Sequence, residues 1–316
     1  MLFNFFDKST VIESLCSHFL IDESWFCEVS DQYDYAYESY CDFAKKLGID
    51  LLTSVEDCQI ICRHITTAND NLLSIMSKGM LTLDRMLSEN TPLNLFLIKY
   101  GIEIYPEKRS MRIKDKVVEI NGFDEPCNPC FLNLINTVNK RSNFHCCEFN
   151  SKMALLNNKL YYDKSEVEAF NAGSDEELLS YQSVLDAPEI LLTIGGIIHS
   201  VFKKIPDSFF QDRWSKQENM KRYILEFPVP LNAIDTNTNN KSYSMYCEYE
   251  NWFEYAKFDS DDYFNDKIPL SLYRNIKLLE DGLDVLFDST SAKYCQILPE
   301  HHIQPSEITV YREYNI

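Results

Sequence analysis

Gln59-Ile60-Ile61-Cys62-Arg63-His64-Ile65-Thr66-Thr67-Ala68-Asn69-Asp70-Asn71-Leu72-Leu73-Ser74-Ile75-Met76-Ser77-Lys78-Gly79-Met80 carries the decisive pattern of this chain. Residues 58–62 are short, apolar and partly β-branched, which predicts a strand. The strand is expected to end in a polar tip, Arg63-His64-x-Thr66. A helix is expected over Asn69–Lys78, with Leu72, Leu73, Ile75 and Met76 for the core and Gly79 as its stop. Strand, polar tip, helix and glycine in this order place a histidine and a hydroxyl at the end of a strand.

The segments around this stretch are mixed in type. Thr10-x-x-Glu13 reads as a capping box for a helix ending near Leu20. Ser30 to Leu47 reads as a second helix capped by Gly48, with Tyr33, Tyr37 and Tyr40 on one face. Thr91-Pro92 predicts a helix start, since proline fits the first helical position, and that helix ends before Gly101. Ile102 to Ile120 reads as strands joined by polar turns at 106–109 and 114–116. Leu160 to Phe170 reads as an aromatic strand end followed by a helix start at Ser165. Ala187 to Lys204 reads as a buried helix. Alternation predicts a strand over Lys221–Phe227. Leu270 to Phe287 reads as a helix with a weak point at Gly282, and Tyr294–Leu298 and Ile308–Tyr311 as closing strands. No internal repeat and no long Pro/Gly linker appears. The expected division is a helical preface over 1–56 and a mixed body over 57–316. The fold class is α+β.

Of 316 residues, 45% are hydrophobic and 25% charged, which is globular composition with ample core material. The net charge of −19 repels a polyphosphate backbone, so broad nucleic-acid binding is not the default reading. The N-terminal stretch Met1-Leu2-Phe3-Asn4-Phe5-Phe6-Asp7 lacks the basic start of a signal peptide. No apolar run is long enough to cross a bilayer. With eleven cysteines, an odd count, the expectation is a cytoplasmic protein with reduced thiols and no membrane association.

A histidine on a strand can donate to or accept from a ribose hydroxyl, and a nearby threonine adds a second contact. The bland alternative is a histidine that caps the next helix or fills a half-buried slot. Arg63-His64-Ile65-Thr66, then Asn71-Leu72, Ile75 and Gly79, resembles the opening motif of bacterial ADP-ribosyltransferase toxins of the DarT type, and more loosely the histidine strand of the PARP-like branch. Lys159-Leu160-Tyr161-Tyr162-Asp163-Lys164-Ser165 resembles the tyrosine strand of that branch. Ala292-Lys293-Tyr294-Cys295-Gln296-Ile297-Leu298 is similar to the late glutamate strand, with Ile303-x-Pro305-x-x-Ile308 following.

The resemblance implies a split, mixed or antiparallel sheet with helical insertions. It implies an enzyme that transfers ADP-ribose from NAD to a macromolecule, either nucleic acid or protein, as a toxin of a toxin–antitoxin or antiphage system with an antitoxin or chaperone as partner. His64 and Thr66 would hold the ribose and nicotinamide, Asn71 would contact the cofactor, Tyr162 or Tyr161 would stack on the nicotinamide, and Arg63 would meet the pyrophosphate or the target. The chain departs from the family at Gln296, where a catalytic glutamate belongs. A glutamine can hydrogen-bond a ribose hydroxyl but carries no charge to stabilise the developing cation.

Two alternatives stand beside this reading. One is a catalytically inactive protein that binds NAD or a partner. The other is a zinc-stapled interaction protein, because Cys127-x-x-Cys130 precedes His145-Cys146 and thiolate plus imidazole suits a tetrahedral zinc site. Buried reduced thiols explain the same cysteines without metal.

Overall fold

The structure, a computed structural model, describes residues 1–33, 38–120, 146–162, 167–180, 186–202, 205–235, 251–258, 268–287 and 292–315. It is α+β, with antiparallel strand pairings and several helices. The chain forms two compact units. The first comprises Met1–Arg63, Glu168–Leu178 and Phe227–Ile297; the second comprises His64–Val167, Leu179–Glu226 and Leu298–Ile316. Residues 1–56 thus share their unit with two later segments, and the change of unit falls between Arg63 and His64 inside one strand.

The strands run in the order β7-β2-β6-β9-β8, where β2 is Gln59–Ala68, β6 Val167–Ala172, β7 Lys221–Pro230, β8 Ile234–Asp235 and β9 Lys293–Ile297; the first unit takes β2 up to Arg63, β6 from Glu168, β7 from Phe227, and all of β8 and β9. A short β1 (Leu2–Phe3) adds to β2 in parallel. Helices α1 (Lys8–Phe19), α2 (Glu23–Asp31) and α3 (Tyr40–Leu47) belong to this unit, as does the long α11 (Leu270–Phe287), which packs against α1. Gly282 is a packing site rather than a weak point: a Cβ there would stand 3.0 Å from Leu15 Cδ1 and 3.3 Å from the Phe5 ring. Phe43 anchors the small helices, with Phe26, Tyr33 and Phe287 edge-on or tilted around it.

The second unit holds α4 (Leu73–Lys78), α5 (Leu83–Ser88), α6 (Pro92–Lys99), α7 (Cys146–Asn157), α9 (Ile190–Phe202) and α10 (Phe209–Ser215). A three-stranded antiparallel sheet, β3 (Ile102–Tyr105), β4 (Ser110–Ile113) and β5 (Lys116–Glu119), closes one side of its core. The last strand, β10 (Thr309–Asn315), runs antiparallel to β7. Core side chains include Phe96, Met111, Phe149, Leu191, Ile194, Ile197 and Trp214. Gly195 and Gly196 of α9 are close-packing positions. A Cβ at Gly195 would stand 1.9 Å from the Asp207 carbonyl oxygen, and one at Gly196 would stand 2.8 Å from the Lys152 side chain.

Several expectations are corrected. β2 does not stop at Cys62 but continues to Ala68, so Arg63, His64 and Thr66 lie within a strand; the β-branched Ile65, Thr66 and Thr67 favour extended backbone. The helix after it begins at Leu73, since Asn71 and Leu72 take left-handed φ of 53° and 64°. Ser30–Leu47 is two helices with a break, not one. The first helix is capped by Asp7, whose carboxylate accepts from the Ser9 N–H at 3.0 Å, rather than by Thr10. Val167–Ala172 is the buried strand β6, not a helix start, and Asn158–Tyr162 is a π-helical turn continuing α7. No described helix is long and apolar enough to cross a membrane.

Candidate functional site

Alternation assigns sides in the first unit's sheet, because neighbouring residues on a strand point to opposite faces and directly paired residues share one. Arg63 pairs with Phe170, the Phe170 and Tyr294 rings meet edge-on at 6.1 Å, and Gln296 pairs with Asp235. Arg63, Phe170, Tyr294, Gln296 and Asp235 therefore share one face. Cys62, Cys295 and Asn171 take the other, where the Cys62 and Cys295 sulfurs lie 3.7 Å apart. Burial pushes the Cys62 thiol well up.

Arg63 is buried and engaged. Its guanidinium lies 3.1 Å from the Asp175 carboxylate, at the start of α8 (Asp175–Ser180), and 4.0 Å from the centre of the Phe6 ring. That charge is spent inside the unit, which weighs against a role on a pyrophosphate. Gln296 is half-buried on β9. On the opposite face, Asn171 donates to Asp281 Oδ2 at 2.7 Å and Lys277 reaches Asp281 Oδ1 at 2.7 Å, so the one carboxylate serves two elements.

In the second unit, His64 and Thr66 lie two apart on β2. They share the side of the strand opposite Arg63, and both are half-buried between the buried Ile65 and Thr67. The strand thus offers an imidazole and a hydroxyl side by side on its more open face. On the closed side, the Thr67 hydroxyl accepts from Trp214 Nε1 at 2.8 Å. Asn71 is exposed at the turn into α4, where Asp70 caps the Ser74 N–H at 3.0 Å. Gly79 ends α4 with φ 78° and ψ −169°, and the Met80 N–H donates to the Ile303 carbonyl at 3.1 Å.

Tyr161 does not present a free ring. Its hydroxyl donates to the Pro106 carbonyl at 2.8 Å, and the Arg109 guanidinium lies 4.3 Å over its face. Burial raises its pKa. Tyr162 ends the π-helical turn, and its side chain lies outside the described residues. Of the zinc candidates, Cys127, Cys130 and His145 lie outside the described residues, and Cys146 is the first residue of α7. Among the described residues no group of three or more His, Cys, Asp or Glu could hold a metal ion.

The structure thus keeps His64 and Thr66 together on one side of β2 and puts Arg63 on the other. Sequence reasoning missed the Asp175 partner of Arg63 and the Asn171–Asp281–Lys277 cluster. Arg63 and Asp175 are 112 residues apart and Asn171 and Asp281 are 110 apart, and no local pattern announces such pairings; only Lys277 and Asp281 are a local i,i+4 pair. No family model, curated protein or solved structure matches this chain.

Proposed function

We propose that this chain is an ADP-ribosyltransferase-like protein that binds NAD through His64 and Thr66. The observation that carries the reading is β2 itself: a half-buried imidazole and a half-buried hydroxyl on one side of a strand, followed by α4 and the glycine that ends it. This is the order of the motif it resembles. His64 and Thr66 supply the donors and acceptors that a ribose diol needs. The split-sheet fold of that family, a macromolecular acceptor and a neutralising partner protein belong to the same proposal.

In the reaction, the bond between the ribose carbon and the nicotinamide nitrogen breaks, and its electron pair leaves with nicotinamide. The sugar carries positive charge until the acceptor's lone pair forms the new bond and the acceptor loses a proton. A fixed carboxylate favours that charge; an amide does not, and loss of one such electrostatic group costs about 100- to 1,000-fold in rate. The resemblance puts that carboxylate at position 296, where this chain carries glutamine, and on that ground the unaltered chain is expected to turn NAD over little or not at all. The test is Gln296→Glu beside the unaltered chain, incubated with adenylate-labelled NAD and a cell lysate. Release of nicotinamide at least 100-fold above the unaltered chain, with label entering protein, RNA or DNA, supports the reading. No release from either form, together with no NAD binding by either, overturns it.

A further inference from the structure

Three residues distant in sequence meet inside the first unit. Cys58 stands at the step into β2, His18 in the last turn of α1, and Asn275 in α11. Cys58 Sγ lies 3.5 Å from His18 Nδ1, and His18 Nε2 lies 2.7 Å from Asn275 Oδ1.

The proton positions follow from Asn275. Its amide nitrogen donates to the Leu51 carbonyl at 2.9 Å and the Thr53 carbonyl at 2.8 Å, which uses both N–H groups and turns the oxygen to the ring. An amide oxygen only accepts, so Nε2 carries the proton of the neutral imidazole. The ring's lone pair is then on Nδ1, facing the thiol. Burial lowers the His18 pKa, which favours the neutral ring, and the Phe3 and Phe19 rings stand 5.5 and 4.6 Å away. Thiol, neutral base and an amide that fixes the base's tautomer form the arrangement that activates a nucleophile by proton removal rather than by a lowered thiol pKa.

The other buried cysteines provide an internal contrast. Cys16, Cys41, Cys58, Cys62 and Cys295 are all between 0% and 5% exposed. Among these described cysteines, Cys58 is the one with a ring nitrogen in reach; Cys41 donates to the Asn251 carbonyl, and Cys62 and Cys295 face each other.

We propose that Cys58 is a base-assisted nucleophile toward small uncharged carbon electrophiles, with His18 as the base and Asn275 as its positioning residue. In the step, a sulfur lone pair forms the S–C bond while the S–H proton passes to His18 Nδ1. The leaving group departs with its bonding pair, and the imidazolium then loses its proton to solvent. The aromatic walls favour an uncharged partner, because a charged one would lose its hydration without compensation.

The experiment alkylates the whole folded chain with iodoacetamide and reads each cysteine-containing peptide by mass spectrometry. Each rate is divided by the rate for the same peptide in urea. Cys58 is expected to react at least tenfold faster than Cys16 and Cys41. His18→Gln should lower the Cys58 rate to their level, and Asn275→Ala should lower it several-fold. The charged groups acting on the pair are the Met1 amino group, 2.6 Å from the Asp57 carbonyl, and the Asp57 side chain. The comparison is made between about pH 6.5 and 7.2, at and above the ordinary histidine value. In that window the base-assisted rate at Cys58 should stay level, whereas simple thiolate attack rises tenfold per pH unit. A tenfold-per-unit rise at Cys58 in the unaltered chain overturns the proposal whether or not the variants fold. So does a Cys58 rate equal to those of Cys16 and Cys41, or a folded His18→Gln variant with an unchanged rate.

Discussion

Gly79→Ala tests whether the motif glycine is demanded by backbone geometry. Gly79 sits at φ 78° and ψ −169°, a region that residues with a Cβ scarcely enter. Such strain costs about 1–3 kcal/mol. The added Cβ would also stand 2.1 Å from the Ile303 carbonyl oxygen and 3.2 Å from the His302 ring. The first contact is with backbone, which the Met80 N–H holds in place at 3.1 Å. Relieving it requires α4 and the 302–303 segment to separate, at about 1–3 kcal/mol by comparison with overpacked cores. The combined loss is about 2–6 kcal/mol, a large share of the roughly 5–15 kcal/mol that stabilises a typical domain. Urea unfolding followed by tryptophan fluorescence reads the change as a fall in the transition midpoint. A Gly79→Ala midpoint corresponding to less than about 0.5 kcal/mol of change, the range of neutral surface substitutions, would refute the reasoning.

Asp175→Ala should destabilise the first unit by about 3 kcal/mol, read by the same unfolding experiment, because it removes the carboxylate beside the buried Arg63. Thr67→Val takes away the acceptor of the Trp214 indole N–H and should cost about 1–3 kcal/mol, with a shift in tryptophan emission as the local sign. His18 has a lowered pKa in the folded chain through burial, so its stabilising contribution is fully present above the unfolded value near 6.5 and is lost as pH falls through the lower folded value. Thermal midpoints between about pH 5 and 7 should therefore fall more steeply on acidification in the unaltered chain than in His18→Gln, while parallel slopes would show that His18 is not the group responsible.

Local chemistry was legible where it is self-contained. Thr91 accepts from the Asn94 N–H at 3.1 Å with Pro92 at the first helical position, as the dipeptide suggests. Gly48 caps α3 with φ 70°. The helix over Leu270–Phe287 has the bounds its periodicity indicates. Extended segments beside the motif were harder. β6 is buried on nearly every residue, from Val167 to Ala172, so the alternation that marks a half-exposed strand is missing. Ser30–Leu47 carries helical spacing across a break, because Tyr33 and the residues of α3 serve the same aromatic cluster from two elements. The placement of Arg63 on the face opposite His64 follows from strand parity once β2 is known to run unbroken to Ala68. The strand was expected to stop before that point, so its sidedness stayed hidden. Asn275 lies 257 residues from His18 and Cys58 lies 40, and long-range meetings of that kind leave no trace in spacing.

Calorimetric titration of NAD into the unaltered chain and into a His64→Ala, Thr66→Val double variant tests the central claim most directly. With each hydrogen bond worth about 0.5–1.5 kcal/mol, the account predicts saturable binding to the unaltered chain and an affinity at least about fivefold weaker in the variant, with its thermal midpoint preserved. Absence of binding at millimolar NAD, or equal affinity in the two proteins, would contradict it.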